Sequence, residues 1–252
     1  MCVVVSGRDR FSWLNGVLSS DVKALEVQPG VRAQLGCALD QKGRVKGEVI
    51  VFAGGDTLHV WIPKRTADEL LAAWDRYIVM EDVELTRAEG RLFFVSGAGA
   101  AEAVANSRAA PFDGGFVLES DPGLPLLEPG AVLARMIAAG HPTFGVDYDE
   151  KNYVQEAGIE GRAVSFTKGC YLGQEVVCML QMRGYVSKRL VQVKVPEGTA
   201  TGAPLSADGQ VVGAITSVAG TTALAMVKWA AAKPGVILES ARGPVEIGVL
   251  AS

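Results

Sequence analysis

The sequence predicts an α+β protein that ends in a small β-barrel. Short β-rich segments separated by glycine-bearing turns dominate the first part of the chain, and one amphipathic helix interrupts them. From residue 188 onward, β-rich segments alternate with closely spaced turn signals such as Asp208-Gly209, a pattern typical of a barrel or sandwich. We therefore predict a body over residues 1–186, divided into two subdomains near 100–130, and a barrel over residues 187–252.

The first elements are predicted to form antiparallel strands and a helix. Turn residues bound each β-rich segment, and the predicted strands span residues 32–39, 45–53, 57–62, 83–87 and 91–96. Thr66, followed three residues later by Glu69, predicts a capping box at the start of a helix. Apolar residues then keep helical spacing at Leu70, Leu71, Trp74, Tyr77 and Ile78. A helix packed on a sheet gives the α+β class.

The middle of the chain has weaker patterns. Residues 100–107 are predicted to form a short helix, whereas residues 133–139 fit either a strand or a helix. Residues 158–169 are predicted to form a loop, and a helix is expected from near Gly173 towards Gln181.

Composition restricts the function classes. The chain has 252 residues, 49% of them hydrophobic and 21% charged, with a formal net charge of −4. The acidic balance argues against binding to nucleic acid through phosphate charge, so no direct DNA contact is expected. The two histidines, His59 and His141, exclude a multi-histidine metal site and argue against a Ser-His-Asp triad. We expect a monomer without a resident metal.

The four cysteines lack the spacing of a metal or redox motif. They are Cys2, Cys37, Cys170 and Cys178, and no Cys-x-x-Cys occurs. Cys2 and Cys37 are interpreted as structural residues and Cys178 as core filling. The N-terminal segment shows no basic stretch followed by a long apolar core, and no segment reads as a membrane span. The sequence thus predicts a cytoplasmic protein with free thiols.

One segment, residues 166–175, combines residue types that carry chemistry. Cys170 lies two residues after Lys168 and just before the expected helix, where positive potential favours a thiolate. Gly169 and Gly173 allow the backbone to approach a ligand closely. The segment therefore either presents a reactive or ligand-facing cysteine, or packs a small side chain while it caps a helix.

Two further features flank this segment. An acidic run over residues 145–158 is interpreted as a solvated loop, except for Glu156, which lies among apolar and small neighbours. A carboxylate in that setting is suited to accept N–H bonds from a heterocycle. Arg183 either holds an acidic group by charge-assisted hydrogen bonds or is an exposed charge at a domain junction.

The string Lys-Gly-Cys-Tyr-Leu-Gly-Gln-Glu over 168–175 resembles the signature of the YgfZ family. That family belongs to the folate-binding superfamily of the glycine-cleavage aminomethyltransferase and includes mitochondrial iron–sulfur assembly factors. Further similar segments lie at residues 7–22, 38–44, 144–150 and 155–158, so the resemblance covers most of the chain. The chain is shorter than typical members of the family, and the resemblance therefore does not specify the structure of the middle subdomain.

The resemblance implies a ring-like body of ferredoxin-like α+β subdomains, a C-terminal barrel and a tetrahydrofolate pocket. Cys170 favours the iron–sulfur branch, because aminomethyltransferases usually lack a cysteine there and use an N-terminal aspartate that is not matched here. The first hypothesis is a tetrahydrofolate-binding factor for assembly or repair of iron–sulfur proteins, with tRNA modification as an associated role. The alternatives are a folate-dependent one-carbon transferase and a non-catalytic folate-responsive module that binds another protein.

The resemblance also implies roles for individual residues. Cys170 would handle sulfur or redox chemistry, and Lys168 would tune the pKa of its thiol. The residues expected to contact tetrahydrofolate, or a one-carbon derivative of it, are Glu156 at the pterin, Arg183 at the acidic tail, and Tyr171, Gln174 and Glu175 at the pocket wall. Iron–sulfur client or assembly proteins are the expected partners.

Overall fold

A computed structural model describes residues 1–27, 33–105, 107, 109–112 and 114–248. The α-helices are α1 (Arg10–Val17), α2 (Ala24–Val27), α3 (Ala67–Asp75), α4 (Ala100–Val104), α5 (Pro129–Ala138), α6 (Val154–Ala157), α7 (Glu160–Ala163) and α8 (Gln174–Arg183). The strands are β1 (Cys2–Ser6), β2 (Ala33–Leu39), β3 (Val45–Gly54), β4 (Thr57–Trp61), β5 (Glu84–Ala88), β6 (Phe93–Ser96), β7 (Ala109–Phe112), β8 (Gly115–Leu118), β9 (Lys188–Lys194), β10 (Pro204–Ala207), β11 (Gln210–Ala219), β12 (Thr222–Lys228), β13 (Ile237–Ser240) and β14 (Gly243–Ile247).

The chain forms two compact units from interleaved segments. Unit 1 consists of Met1–Pro125 and Arg162–Val176, and unit 2 consists of Leu126–Gly161 and Val177–Ser252. The predicted α+β class and the C-terminal barrel are confirmed. The units do not coincide with the division at residue 186, which stays a prediction.

Unit 1 is built on an antiparallel five-stranded sheet with the order β2-β3-β4-β1-β5, beside a three-stranded sheet with the order β6-β8-β7. Alternate residues of β1, Val3 and Val5, are fully buried in the main core. Helix α3 adds Trp74, whose ring meets Trp13 of α1 edge-on at a centroid distance of 6.2 Å. The predicted strands of the meander are confirmed, although Arg32 lies outside the described residues.

The predicted capping box at Thr66 is wrong, although the helix behind it is present. A 3₁₀ turn over Lys64–Thr66 runs directly into α3, so Thr66 does not adopt the extended conformation of a capping residue. The Thr66 Oγ1 atom is buried and has no hydrogen-bond partner among the described residues. Glu69 instead accepts a hydrogen bond of 3.2 Å from Lys46.

Two middle segments differ from or refine the sequence-based expectation. Residues 133–139, which fitted either a strand or a helix, belong mainly to helix α5. The predicted loop over residues 158–169 contains the one-turn helix α7. No helix among the described residues is long and apolar enough to cross a bilayer.

Unit 2 is a closed six-stranded antiparallel barrel, in the order β10-β11-β12-β9-β14-β13, with helices packed against it. Ile137 of α5 is fully buried with Leu190 and Leu224 of the barrel. Asp147 of the acidic run is also buried, and its carboxylate accepts hydrogen bonds of 2.6 Å from Thr216 and Ser217. The interpretation of that run as a solvated loop is therefore wrong for Asp147, because barrel hydroxyls replace its water.

Candidate functional site

The loop that carries Cys170 is anchored in unit 1 by Lys168. The ammonium group of Lys168 donates hydrogen bonds to backbone carbonyls at and beyond the C-terminal end of α1. The accepting carbonyls belong to Asn15, Leu18 and Ser20, at distances of 2.5, 2.6 and 2.7 Å. The last carbonyls of a helix have no N–H partner within the helix, and a cation there can pair with them. The positive charge also interacts favourably with the negative end of the helix dipole. Lys168 thus docks the loop onto α1.

Lys168 also lies 4.8 Å from the centroid of the Tyr171 ring, a cation–π distance. Burial lowers the pKa of Lys168 to about 8, and the charge of Asp21 opposes that change. The carbonyl acceptors favour the ammonium form. The proposed tuning of the Cys170 thiol by Lys168 stays a prediction, since the ammonium group donates its short hydrogen bonds to backbone carbonyls and a longer one to the Asn15 side chain.

The second anchor is Gly173, which packs against the β2–β3 hairpin. Gly173 has φ +80°, and a Cβ atom there would lie 2.5 Å from the carbonyl oxygen of Asp40. Leu172 adds a backbone hydrogen bond of 2.9 Å to Gly16. The close approach that only glycine allows is therefore made to the protein's own hairpin.

Cys170 is exposed and lines a cavity of about 470 Å³ in unit 1. Three other predicted site residues, Tyr171, Gln174 and Glu175, line the same cavity. The remaining wall includes two residues that the sequence-based assignment missed, Gln41 and Tyr77, joined by a hydrogen bond of 3.3 Å. The structure thus brings a solvent-accessible thiol together with amide, carboxylate and phenol groups.

The other three cysteines have different surroundings. Burial, followed by the charge of Glu119, raises the pKa of Cys2 to about 11. Burial also raises the pKa of Cys37 well above its ordinary value. Cys178, interpreted as core filling, is only half-buried on α8. Cys170 is therefore the exposed thiol among the four.

Glu156 and Arg183 belong to unit 2. Glu156 is 2% exposed, and its carboxylate accepts hydrogen bonds from Asn152 at 2.9 Å and Ser187 at 2.9 Å. Arg183 is exposed and donates to the Tyr185 hydroxyl at 2.6 Å. Glu156 therefore acts as a buried connector within its unit, and a role of either residue in folate binding stays a prediction.

A second cavity, of about 200 Å³, lies within unit 2 and was not found from the sequence. Its walls include Gln155, Glu160, Arg189 and Trp229. The Gln155 Oε1 and Glu160 Oε2 atoms are buried and have no hydrogen-bond partner within the part of the chain that the structure describes. Burial raises the pKa of Glu160 above its ordinary value, although a hydrogen bond from its own backbone N–H and the charge of Arg189, 3.9 Å away, oppose this. Buried acceptors without donors mark a place where a ligand with N–H groups would gain hydrogen bonds.

Little in the amino-acid sequence indicates this second cavity. Gln155 and Glu160 flank Glu156, so the carboxylate that the resemblance singled out lies beside the unpaired acceptors. Trp229 comes from the barrel, far along the chain. Only the packing of the helices on the barrel brings these residues together.

The fold is that of an aminomethyltransferase. Aminomethyltransferase T of the glycine cleavage system from Bartonella henselae superposes with a TM-score of 0.80, covering 99% of this chain and 82% of the other, at 15% identity. Residues 188–248 match the family model described as the CAF17 C-terminal beta-barrel domain.

Comparison with curated proteins finds sequence relatives of two kinds. The chain is 28% identical over 216 residues to the tRNA-modifying protein YgfZ of Vibrio vulnificus, covering 74% of this chain and 65% of the relative. It is also 28% identical over 223 residues to a mitochondrial iron–sulfur cluster assembly factor IBA57 homolog of Mycosarcoma maydis, covering 75% of this chain and 54% of that protein. The chain is thus similar to YgfZ-type proteins and has the aminomethyltransferase fold, and it spans less than two thirds of the length of these curated relatives.

Proposed function

We propose that this protein is a tetrahydrofolate-binding factor for the assembly or repair of iron–sulfur proteins, with Cys170 as its sulfur-handling or redox residue. The single observation that carries the proposal is the exposed Cys170 on the wall of the unit 1 cavity, on a loop anchored by Lys168 and Gly173. A thiol that is held in place and open to solvent is suited to react with a partner. A cytoplasmic location stays a prediction.

The relatives support this direction. One is named as a tRNA-modifying protein and another as an iron–sulfur cluster assembly factor. The two roles are compatible if the clients include iron–sulfur enzymes that modify tRNA. Iron–sulfur client or assembly proteins are therefore the partners we propose.

The unit 2 cavity is suited to the pterin part of a reduced folate. A pterin presents N–H donors along one edge, and the unpaired acceptors on Gln155 and Glu160 match such an edge. Trp229 adds an aromatic side chain to the wall. When bound, tetrahydrofolate would supply a carrier for one-carbon units. We assign the first pterin contacts to Gln155 and Glu160, because the oxygens of Glu156 already accept hydrogen bonds from Asn152 and Ser187.

Two cysteine variants test whether the function of the Cys170 thiol is independent of folate binding. Cys170→Ala is expected to retain the melting temperature and the tetrahydrofolate affinity, because an exposed sulfur contributes little buried area. It is expected not to restore iron–sulfur enzyme activity or tRNA modification in cells that lack the protein. Cys178→Ala is the matched control, since this thiol is half-buried on α8 and does not line the cavity; it is expected to restore activity.

Glu160→Gln is expected to weaken tetrahydrofolate binding about tenfold or more, because an amide donor replaces one buried acceptor. The same change is expected to raise the melting temperature at neutral pH. Burial raises the pKa of Glu160, so the folded chain loses stability as the pH rises above the ordinary pKa of a glutamate, and the neutral amide avoids that loss. Isothermal titration with tetrahydrofolate and thermal unfolding measure both effects.

Full rescue by Cys170→Ala, with methylene transfer from an aminomethyl donor, would instead favour the one-carbon transferase. Rescue by Cys170→Ala without any turnover would favour the protein-binding module. Unchanged folate affinity in Glu160→Gln would show that the pterin does not bind in the unit 2 cavity. The proposed role of Cys170 would not be affected by that result.

A further inference from the structure

Unit 1 holds a second cluster of reactive side chains, away from the Cys170 loop in sequence. Cys2 lies on β1, His59 lies on β4, and Glu119 follows directly after β8. The sulfur atom, one imidazole nitrogen and one carboxylate oxygen all lie within 4.8 Å of one another. This is the one group of three such side chains with converging donor atoms among the described residues.

The sheet register explains why two of these residues meet. Strands β1 and β4 are antiparallel, with Cys2 opposite Trp61 and Val4 opposite His59. Cys2 and His59 are therefore diagonal neighbours on one face of the sheet. The opposite face of β1 carries Val3, which enters the main core.

The three side chains line a cavity of about 400 Å³ together with Trp61. Glu119 Oε1 accepts a hydrogen bond of 2.7 Å from the Trp61 indole and lies 2.8 Å from His59 Nδ1. Cys2 is only 4% exposed, whereas His59 and Glu119 are half-buried. The polar groups are thus partly withdrawn from water, and the indole N–H orients the carboxylate.

The arrangement differs from a catalytic relay. In a nucleophile–histidine–carboxylate triad, the imidazole separates the other two groups by its own width plus two hydrogen bonds of about 3 Å each. Here the sulfur and the carboxylate oxygen are themselves within 4.8 Å. Three donors that converge on a common point are the arrangement of a chelating site.

We propose that Cys2, His59 and Glu119 bind one divalent metal ion of borderline softness, with Zn²⁺ as the representative, and leave a further coordination position open to the cavity. Thiolate, imidazole and carboxylate are all zinc ligands, and three protein ligands with an open position are typical of reactive zinc sites. The Trp61 N–H would fix the carboxylate, as outer hydrogen bonds commonly do around metals.

The geometry requires only a small adjustment. Zinc bonds of about 2.0–2.3 Å in a tetrahedral arrangement place ligand atoms about 3.3–3.7 Å apart. The widest separation here, at most 4.8 Å, therefore needs to close by about 1 Å. On binding, the thiol proton passes to solvent as the sulfur coordinates the ion. The sequence alone predicted no resident metal, because it holds neither a multi-histidine set nor a Cys-x-x-Cys motif, whereas this mixed set comes from residues that are far apart in the chain.

Cobalt substitution tests the proposal directly. Full-length protein with a native N-terminus is dialysed against a chelator and titrated with Co²⁺, whose absorption reports thiolate ligation, and then with Zn²⁺ as competitor. We expect one Co²⁺ per chain, a thiolate-to-cobalt charge-transfer band, and its loss when Zn²⁺ is added. Cys2→Ser is expected to abolish the band, and His59→Gln and Glu119→Gln are each expected to weaken Co²⁺ affinity at least tenfold.

Cys170→Ser is the matched control, because Cys170 is the exposed thiol and the competing source of a cobalt–sulfur band. It is expected to retain the band. Circular dichroism verifies that each variant is folded. If Cys2→Ser unfolds, Glu119→Gln tests the site instead, because the glutamine side chain retains an oxygen that can accept the Trp61 hydrogen bond. A band that survives in Cys2→Ser and disappears in Cys170→Ser would overturn the proposal. Wild-type protein without a thiolate band at millimolar Co²⁺ would overturn it as well.

Discussion

The ammonium group of Lys168 lies where the last carbonyls of α1 have no partner within the helix. Its three short hydrogen bonds to backbone oxygens satisfy groups that would otherwise be partly buried and unpaired. The next functional residue, Cys170, follows two positions later. At the scale of the single residue, a half-buried positive charge thus positions an exposed thiol.

Lys168→Met should lower the free energy of unfolding by about 1–3 kcal/mol, because partly buried carbonyls lose their donor while the aliphatic stem is retained. Urea unfolding measures the change as a shift in midpoint at constant slope. Lys42→Met is the matched control, since Lys42 is exposed on the hairpin turn and its removal should change stability little. Equal midpoints for Lys168→Met and the wild type would show that the ammonium group does not anchor the loop.

Helix α8 and the β2–β3 hairpin meet through two glycines. Gly173 precedes α8 and approaches the Asp40 carbonyl, whereas a Cβ atom on Gly43 of the hairpin would lie 2.9 Å from Val176. Both glycines have positive φ values, of +80° and +72°. At the scale of the element, the contact of two backbones fixes the start of α8 and therefore one wall of the Cys170 cavity.

Gly173→Ala should destabilise the protein by about 1–3 kcal/mol, from the left-handed backbone conformation alone, with the clash against Asp40 in addition. It should also change the reactivity of Cys170 towards a thiol reagent, because the loop must move. Gly169→Ala provides the control: a Cβ atom there meets nothing within 4 Å. Similar melting temperatures for the two variants would disprove the close packing at Gly173.

At the scale of the whole molecule, each compact unit combines segments that are distant in sequence. Unit 2 joins Leu126–Gly161 to Val177–Ser252. Within it, α5 covers the barrel through Ile137, and the Gln192 side chain donates a hydrogen bond of 2.8 Å to the Ile137 carbonyl. The barrel strands β9 and β12 are therefore buried by a helix that the sequence places more than fifty residues earlier.

Ile137→Ala should destabilise unit 2 by about 2–5 kcal/mol, because it leaves a cavity against Leu190 and Leu224. Hydrogen exchange followed by mass spectrometry should show faster exchange in β9 and β12. Leu133→Ala on the same helix should have little effect, since Leu133 is 37% exposed. If both variants exchange alike in these strands, α5 does not stabilise the barrel.

The local patterns of the sequence were sufficient for most of the elements. β-rich segments and turn residues located the strands of the meander and the region of the barrel, since these signals depend only on near neighbours along the chain. The capping box predicted at Thr66 was wrong because a 3₁₀ turn, which has no strong sequence signal, leads into α3. The sequence did not decide between a strand and a helix at α5, because a short apolar segment is compatible with both the strand and the helix repeat until its packing partner is known.

The sequence by itself determined the α+β fold class, the C-terminal barrel and the position of the cysteine loop, because these signals lie in contiguous segments such as residues 168–175. Only the tertiary structure decided what each side chain does. Folding directs the Lys168 charge to the carbonyls of α1 and withdraws Glu156 into internal hydrogen bonds. It also brings together Cys2 of β1, His59 of β4 and Glu119, which follows β8. Contacts between distant segments depend on register and packing, which no local pattern encodes.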